Sequence, residues 1–499
     1  MRFLPFFLLA FLVMPASAQS ADAPSLSSAT QDCLSCHETL HPGIVEGWRS
    51  SRHRAVTPGE AMQVEGNARK VSSEDVPEEL RGTAVGCAEC HTIRHDAHAD
   101  TFDHMGYQVH IATSPDDCAT CHATEREQYS DNIMAHARAN LTKNPVFTDL
   151  VRTINGVPSR NDQGEMVQAE PSHAANADAC FYCHGTELEV TGTKTRDTMY
   201  GPMDFPVIKG WPNNGVGRVN LDGSKGSCAA CHTRHTFAIE QARSPATCKE
   251  CHNGPDVPAY KVYSASKHGN IYEGIGKKRW NFSNVPWTVG KDFTAPTCAT
   301  CHISLVTTPE GEVVAERTHA VSDRLPWRIF GLPYAHPQPK EPTTHTIKNA
   351  NGLPLPTTLD NEPASEFLID KETMDERRET MQAVCRSCHG EAWVDGHWDN
   401  FEQVIQETNQ TTLAGTRIMQ SIWEDGLAKG LAQGDSIFDE YIERTWSTTW
   451  LFYANTVRFS SAMAGGGDYG VFADGRYQLM RTIRQLEDWR DLRTGVERE

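Results

Sequence analysis

After its first twenty residues the 499-residue chain has no long hydrophobic run, and no later segment reaches the ~20 consecutive apolar residues that a membrane-spanning helix needs. Apolar residues are scarce throughout. They make up 38% of the chain and are interrupted by 37 glycines and 27 prolines, too little for densely packed domains at this length. Basic charge is short as well: 46 Lys and Arg stand against 65 Asp and Glu, for a net charge of −19. The absence of clustered Lys and Arg argues against nucleic acid as a partner, because binding a phosphate backbone requires them. Sustained period-two alternation is also lacking, so no large sheet is expected.

What is present begins with MRFLPFFLLAFLVMPASAQS, in which Arg2 precedes an apolar stretch ending at the small-residue pattern Ala16-Ser17-Ala18. This reads as an export signal over residues 1–18, with the mature chain in the bacterial periplasm. Sixteen cysteines in such an oxidising compartment first suggest disulfides. Their spacing points elsewhere. They fall into the pairs Cys33/Cys36, Cys87/Cys90, Cys118/Cys121, Cys180/Cys183, Cys228/Cys231, Cys248/Cys251, Cys298/Cys301 and Cys385/Cys388. Each pair is followed at once by a histidine: His37, His91, His122, His184, His232, His252, His302 and His389.

Two thiols one helical turn apart reach the two vinyl groups of a single heme while the adjacent imidazole reaches its iron. Zinc ribbons also use Cys-x-x-Cys, but tetrahedral zinc does not demand a histidine at the next position in all eight pairs. The expected cofactors are therefore eight covalently bound c-type hemes, with those eight histidines as proximal iron ligands. The porphyrins would supply the apolar mass that the side chains lack, and the acidic surface suits a basic redox partner.

Sites one to three lie within residues 33–122, sites four to seven within 180–302, and the eighth at 385–389. Cys231 and Cys248 are only seventeen positions apart, so their hemes are held close together. Stretches such as GWPNNGVGRVNLDGSKG (210–226) are rich in turn formers, which predicts short helices at the sites joined by loops. From about residue 363 helical spacing takes over, first in Met374, Met381, Val384, Cys385 and Cys388. It continues in Phe401, Val404 and Ile405, in Ile418, Ile422 and Trp423, and in Phe438, Tyr441 and Ile442, with Ser436 as N-cap of the last helix. Gly465-Gly466-Gly467 is expected to end that helix and leave Asp468-Tyr469-Gly470 in a mobile loop. The fold class is thus mainly α: a loop-rich multiheme cytochrome c region over 19–362, then a helical region over 363–499 carrying the eighth heme and an oligomerisation loop.

The eight sites use eight of 22 histidines and leave fourteen for the opposite faces of the irons. A heme with histidine on both faces passes electrons, whereas one open face can bind a small molecule. Counting does not identify the open site. His235, three residues beyond His232, should serve a neighbouring heme. His53, His136, His173, His319 and His397 are the other distal candidates, with surface histidine as the competing explanation.

The stretches WPNNGVGRVNLDGSKGSCAACHTRHTFAIE (211–240), ATCKECHNGPDVPAYKVYSASKHGNIY (246–272) and GLPYAHPQPKEPTTH (331–345) resemble the hydroxylamine oxidoreductase family of octaheme enzymes. The eight-site layout extends the resemblance over most of the mature chain. It implies that the fifth site, Cys228, Cys231 and His232, holds the catalytic heme with an open distal face, lined by Asp256, His268 and Tyr334. Proton acceptors suit the chemistry, since oxidising hydroxylamine releases protons with the electrons. Each residue has a plainer reading: Asp256 as a helix cap, His268 as a ligand of another heme, Tyr334 as packing. The resemblance also implies a tyrosine, matched by Tyr469 with Tyr477 as the alternative, that modifies the catalytic heme of an adjacent subunit by a covalent bond. Head-to-tail donation of this kind implies a homotrimer.

Two function classes follow. One is an enzyme that oxidises hydroxylamine to nitric oxide or nitrite and passes electrons to a soluble or membrane-anchored cytochrome acceptor. The other is a non-catalytic electron-transfer cytochrome. Within the enzyme class, reduction of nitrite or hydroxylamine to ammonia and oxidation of hydrazine remain open. Reductive octaheme relatives lack the cross-linking tyrosine, so the direction of reaction hangs on Tyr469.

Overall fold

The computed structural model describes residues 23–330 and 333–495, and residues 1–18, expected to form an export signal, lie outside the described residues. The heme-attachment sequences make their own local structure. Helix α1 (Ser28–Leu40), capped by Ser27 Oγ on the Thr30 amide, carries the first site on its exposed side. The second, fourth and seventh sites are themselves single-turn helices, α2 (Cys87–His91), α3 (Cys180–His184) and α4 (Cys298–His302). At the third, fifth, sixth and eighth sites the histidine amide donates to the carbonyl of the first cysteine at 2.9 Å. One closed turn therefore puts both thiols and the imidazole on one side.

Strands are few and mostly two to four residues long. The exception is a hairpin of β1 (Glu189–Thr198) and β2 (Gly201–Lys209), whose tip brings Tyr200 Oη to 3.1 Å from Cys36 Sγ of the first site. The hairpin is largely exposed on both faces, so it carries no apolar alternation to betray it. Its β-branched run of Val190, Thr191, Thr193 and Thr195 was the available signal.

The C-terminal region is helical as expected. Helix α5 (Lys371–Arg386), capped by Asp370, leads into the eighth site with Met381 and Val384 buried. Helix α6 (Glu391–Glu424) runs 34 residues and buries Trp398, Phe401, Ile405, Met419 and Ile422. The spacing read as two segments is one continuous helix, because nothing between Ile405 and Ile418 breaks it. Helices α7 (Tyr441–Thr448), α8 (Asn455–Ala462) and α9 (Arg476–Thr494) pack around it. Trp446 stands edge-on to Trp423 and Trp450, at 5.4 and 5.5 Å between centroids, among Met419, Phe438, Ile442 and Leu486. Apolar side chains dominate this core, in contrast to the heme-bearing region.

Two local expectations are corrected here. Ser436 Oγ accepts from the Phe438 amide in the preceding turn, and the N-cap of α7 is Glu440, closed by a reciprocal bond with Glu443. After α8 the chain does turn through left-handed Ala464 and Gly465, with φ of 58° and 105°. Tyr469, however, opens a π-helical turn, Tyr469–Ala473, and its hydroxyl donates to Asp474 at 2.8 Å. The side-chain bond and the helical geometry give the segment a structure that the glycines alone do not disclose.

Glu443 is fully buried and accepts from Trp423 Nε1 at 2.8 Å. Burial, with Asp439 beside it, pushes its carboxyl from 4.5 up to about 8. A raised carboxyl stabilises the fold below its unfolded value, and that contribution is lost as pH rises toward about 8. Glu443→Gln keeps an acceptor for Trp423 and removes the ionisation. Its unfolding midpoint should exceed the wild type above pH 8 by the equivalent of ~1–3 kcal/mol, a gap that closes toward pH 5 in thermal melts.

Candidate active centre among the heme sites

No disulfide joins any of the sixteen cysteines, and neighbouring pairs set the sites in order. Cys33 lies within electrostatic reach of Cys87, and Cys90 of Cys121. Cys118 meets Cys228, Cys248 meets Cys298, and Cys231 and Cys301 lie near Cys248 and Cys385. The sites therefore run 1–2–3–5–6–7–8. The fourth joins this line from the side, where Cys183 meets Cys251 of the sixth site.

The histidines show that the groups fit. His37 faces His104 at 6.1 Å between ring centroids, His91 faces His235 at 6.5 Å, and His53 faces His122 at 6.3 Å. His232 faces His319 at 6.5 Å, and His268 faces His389 at 6.1 Å. Two imidazoles sharing one metal at ~2 Å from each nitrogen put their centroids roughly 6 Å apart. Five sites thus have the spacing of an iron held between two histidines. His53, His235 and His319 each stand in one of these pairs, and His104 joins them. No sequence signal picks out His104, which sits in a short hairpin against Phe102 and Phe205.

These pairings correct the expected active centre. The fifth site does not offer an open face, because the His319 ring stands opposite His232. His268 is likewise drawn to the eighth site and stands opposite His389. Among the other candidates, His136 Nε2 is bonded to the Ser130 carbonyl at 2.8 Å and His173 is exposed. His397 stacks on Trp393 at 5.2 Å, and Trp393 stacks on His389 at 4.1 Å. Among the described residues no histidine ring pairs at this spacing with His184, His252 or His302.

The fourth site has charged neighbours instead. His184 Nδ1 donates to the Ala137 carbonyl at 3.3 Å, which aims Nε2 at the metal position. Asp256 acts electrostatically on Cys180, Cys183 and His184, and also on His252 of the sixth site. The Asp256 carbonyl is held by Asn455 Nδ2 at 2.8 Å, so α8 positions it. Arg328 is the other charge that acts on His184. It lies on β3 (Trp327–Arg328), directly opposite His336 on β4 (His336–Pro337). His336 is 1% exposed, with Nδ1 committed to the Pro337 carbonyl at 2.6 Å. Burial, then Arg328 and Arg458, push the His336 imidazole down to about 3.

Tyr334 lies near this shell but is committed to packing: its buried hydroxyl donates to the Leu359 carbonyl at 2.6 Å. Burial pushes its phenol up to about 12. Tyr469 is half-buried, with Lys261 6.0 Å from its ring and its hydroxyl on Asp474, whereas Tyr477 is 55% exposed. No helix among the described residues is long and apolar enough to cross a membrane.

Known proteins share these features. A family model described as seven times multi-haem cytochrome CxxCH matches residues 215–333. A solved structure titled as a hypothetical multiheme protein superposes with a TM-score of 0.89 at 39% identity, covering 95% of this chain and 97% of that one. A reducing HAO-like protein complex of Kuenenia stuttgartiensis shares the fold, with a TM-score of 0.60 at 19% identity, over 92% of this chain and 84% of that one. A probable nitrite reductase-hydroxylamine oxidoreductase fusion protein, also of Kuenenia stuttgartiensis, is 28% identical over 335 residues. That match covers 59% of this chain and 36% of the relative, so the chain spans about a third of its length.

Proposed function

The chain belongs to the hydroxylamine oxidoreductase-like family of multiheme cytochromes c, and from that premise we propose that it converts hydroxylamine to nitric oxide or nitrite at its fourth site. The observation that carries this reading is the fourth site's position and surroundings: it branches off the line of sites and has Asp256 and Arg328 as charged neighbours. Heme bound there supplies an iron that can bind the substrate nitrogen and take up its electrons.

The protein's own groups do the rest. His184 is oriented by Ala137, and Asp256, anchored through Asn455, accepts protons released from nitrogen. Cys183 and Cys251 lie next to each other, which places the fourth site beside the sixth and gives a path from the branch to both ends of the line. Export to the periplasm and delivery to a cytochrome acceptor complete the proposal.

A variant with both Cys180→Ser and Cys183→Ser tests the site. It should lose one heme increment by intact mass and, with it, the high-spin ferric signal that hydroxylamine shifts. Survival of that signal would put the open face at another site.

For direction and assembly we propose that Tyr469 would leave Asp474 and be joined to the fourth-site heme of an adjacent subunit in a homotrimer, the phenol O–H and one porphyrin C–H being lost as two protons and two electrons that the neighbouring hemes would accept. Asp474 is placed to take the phenolic proton. On denaturing electrophoresis the wild type should run as a heme-staining multimer and Tyr469→Phe as a monomer. A monomeric wild type that prefers to reduce nitrite would favour the reductive alternative.

A further inference from the structure

Electron exchange with another protein needs a site close to the surface, and the two ends of the line differ in what surrounds them. The first site is overlaid by the tip of the β1–β2 hairpin, whose Lys194, Arg196 and Lys209 balance Glu189, Asp197 and Asp204. The eighth is open. Of the sixteen attachment cysteines only Cys388 is exposed. Trp393, one helical turn beyond His389, stacks on that ring at 4.1 Å and is still 44% exposed. A single indole therefore touches the proximal histidine and reaches solvent.

The surface at this end carries charge of one sign. Between Arg386 and Arg417 the chain has no Lys or Arg and five carboxylates. Glu391, Asp395 and Asp399 recur at every fourth position, so they form one exposed row along the first turns of α6, beginning two residues beyond His389. The basic side chains of α5 are already engaged: Lys371 by Asp375 at 2.7 Å, Arg378 by Glu402 and Arg377 by the Ser322 carbonyl. Arg386 is paired with Glu379, and Glu391 and Asp395 also lie within its field, so one guanidinium faces three carboxylates. Around the helix between this row and Trp393 stand exposed Ala392 and Gly396, and a Cβ added at Gly396 would meet nothing within 4 Å. That face is free to be approached closely.

An aromatic anchor beside a rim of like charge is the make-up of a transient protein interface, in which the ring supplies contact and the charges steer the partner. We propose that the start of α6, with Trp393 as anchor and Glu391, Asp395 and Asp399 along its edge, is the docking surface for a basic c-type cytochrome whose heme edge is ringed by lysines. Charge complementarity favours this occupant over a second copy of the chain, because two acidic rows brought together repel. One electron passes from the eighth site to the ferric heme of the partner, with no bond made or broken and no proton moved. The inference rests on the proposed delivery to a cytochrome acceptor and needs no particular substrate at the fourth site.

The test uses the purified holoprotein and a lysine-rich mitochondrial-type cytochrome c. Affinity between the two oxidised proteins is measured by calorimetry, and transfer from chemically reduced holoprotein by stopped-flow absorbance, so no nitrogen compound enters. Asp395→Lys with Asp399→Lys should weaken binding and slow transfer about tenfold or more at low ionic strength, a gap that closes as salt is added. Glu46→Lys with Asp103→Lys makes the same change of net charge at exposed positions on the segments beside the first site, and should stay within about twofold of the wild type. No loss in the Asp395/Asp399 variant, or equal losses in both variants, overturns the docking surface. A changed sedimentation coefficient of the Asp395/Asp399 variant alone in solution would also overturn it, by assigning the face to contact between copies. A wild type that neither binds nor reduces the basic cytochrome would remove delivery to that class of acceptor, a failure separate from hydroxylamine turnover measured with an artificial acceptor.

Discussion

Asp256→Asn should lower hydroxylamine turnover by about 10²–10⁴-fold while leaving the heme content and the reducibility of the other sites unchanged. The variant is nearly isosteric and keeps the backbone carbonyl that Asn455 holds, so the local structure of the Gly254–Tyr260 segment is preserved. It removes only the carboxylate. An amide cannot take a proton at neutral pH, so a residue that serves as the base loses its contribution, whereas a residue that merely shapes a turn does not. Steady-state turnover with an artificial acceptor, beside the optical spectrum of the fully reduced protein, gives both halves of the answer. Equal kcat in variant and wild type would remove Asp256 from the chemistry.

The second large effect concerns His319. Replacing it with alanine opens the face opposite His232, so the oxidised protein should gain one heme equivalent of high-spin ferric signal. The fifth site stands in line between the third and the sixth, linked through Cys118–Cys228 and Cys231–Cys248. Disturbing it should therefore slow electron delivery from the fourth site toward the first, while the seventh and eighth sites are filled at the normal rate. Rapid-mixing spectra of the hemes resolve the two branches. A variant whose fifth site stays low-spin would show that another side chain, and not His319, closes that face. His268→Ala makes the parallel case at the eighth site, where the ring stands opposite His389.

The attachment chemistry was legible because it is local. Two cysteines and a histidine within one turn declare their ligand without reference to anything distant, and the helical spacing from Met374 to Ile442 declares a helical region in the same way. The role of His235 was also local, since the distance from His232 forbids both serving one iron, and the ring does face His91. Distal ligation is not local. His319 meets His232, His104 meets His37 and His268 meets His389 across long stretches of chain whose path no spacing rule encodes. Which site stays open is decided only when those loops have closed.

Charge tells the same story at finer scale. The sequence marks His336 and Arg458 as ordinary polar residues, and nothing in their neighbours predicts that both are buried. Burial is a property of the folded arrangement: His336 faces Arg328 because β3 and β4 pair in that register, and Arg458 arrives on α8. By itself, then, the amino-acid sequence determined the class of cofactor, c-type heme, and the class of fold. The tertiary structure decided the order of the sites and which histidines face one another, because these depend on contacts between segments far apart in the chain.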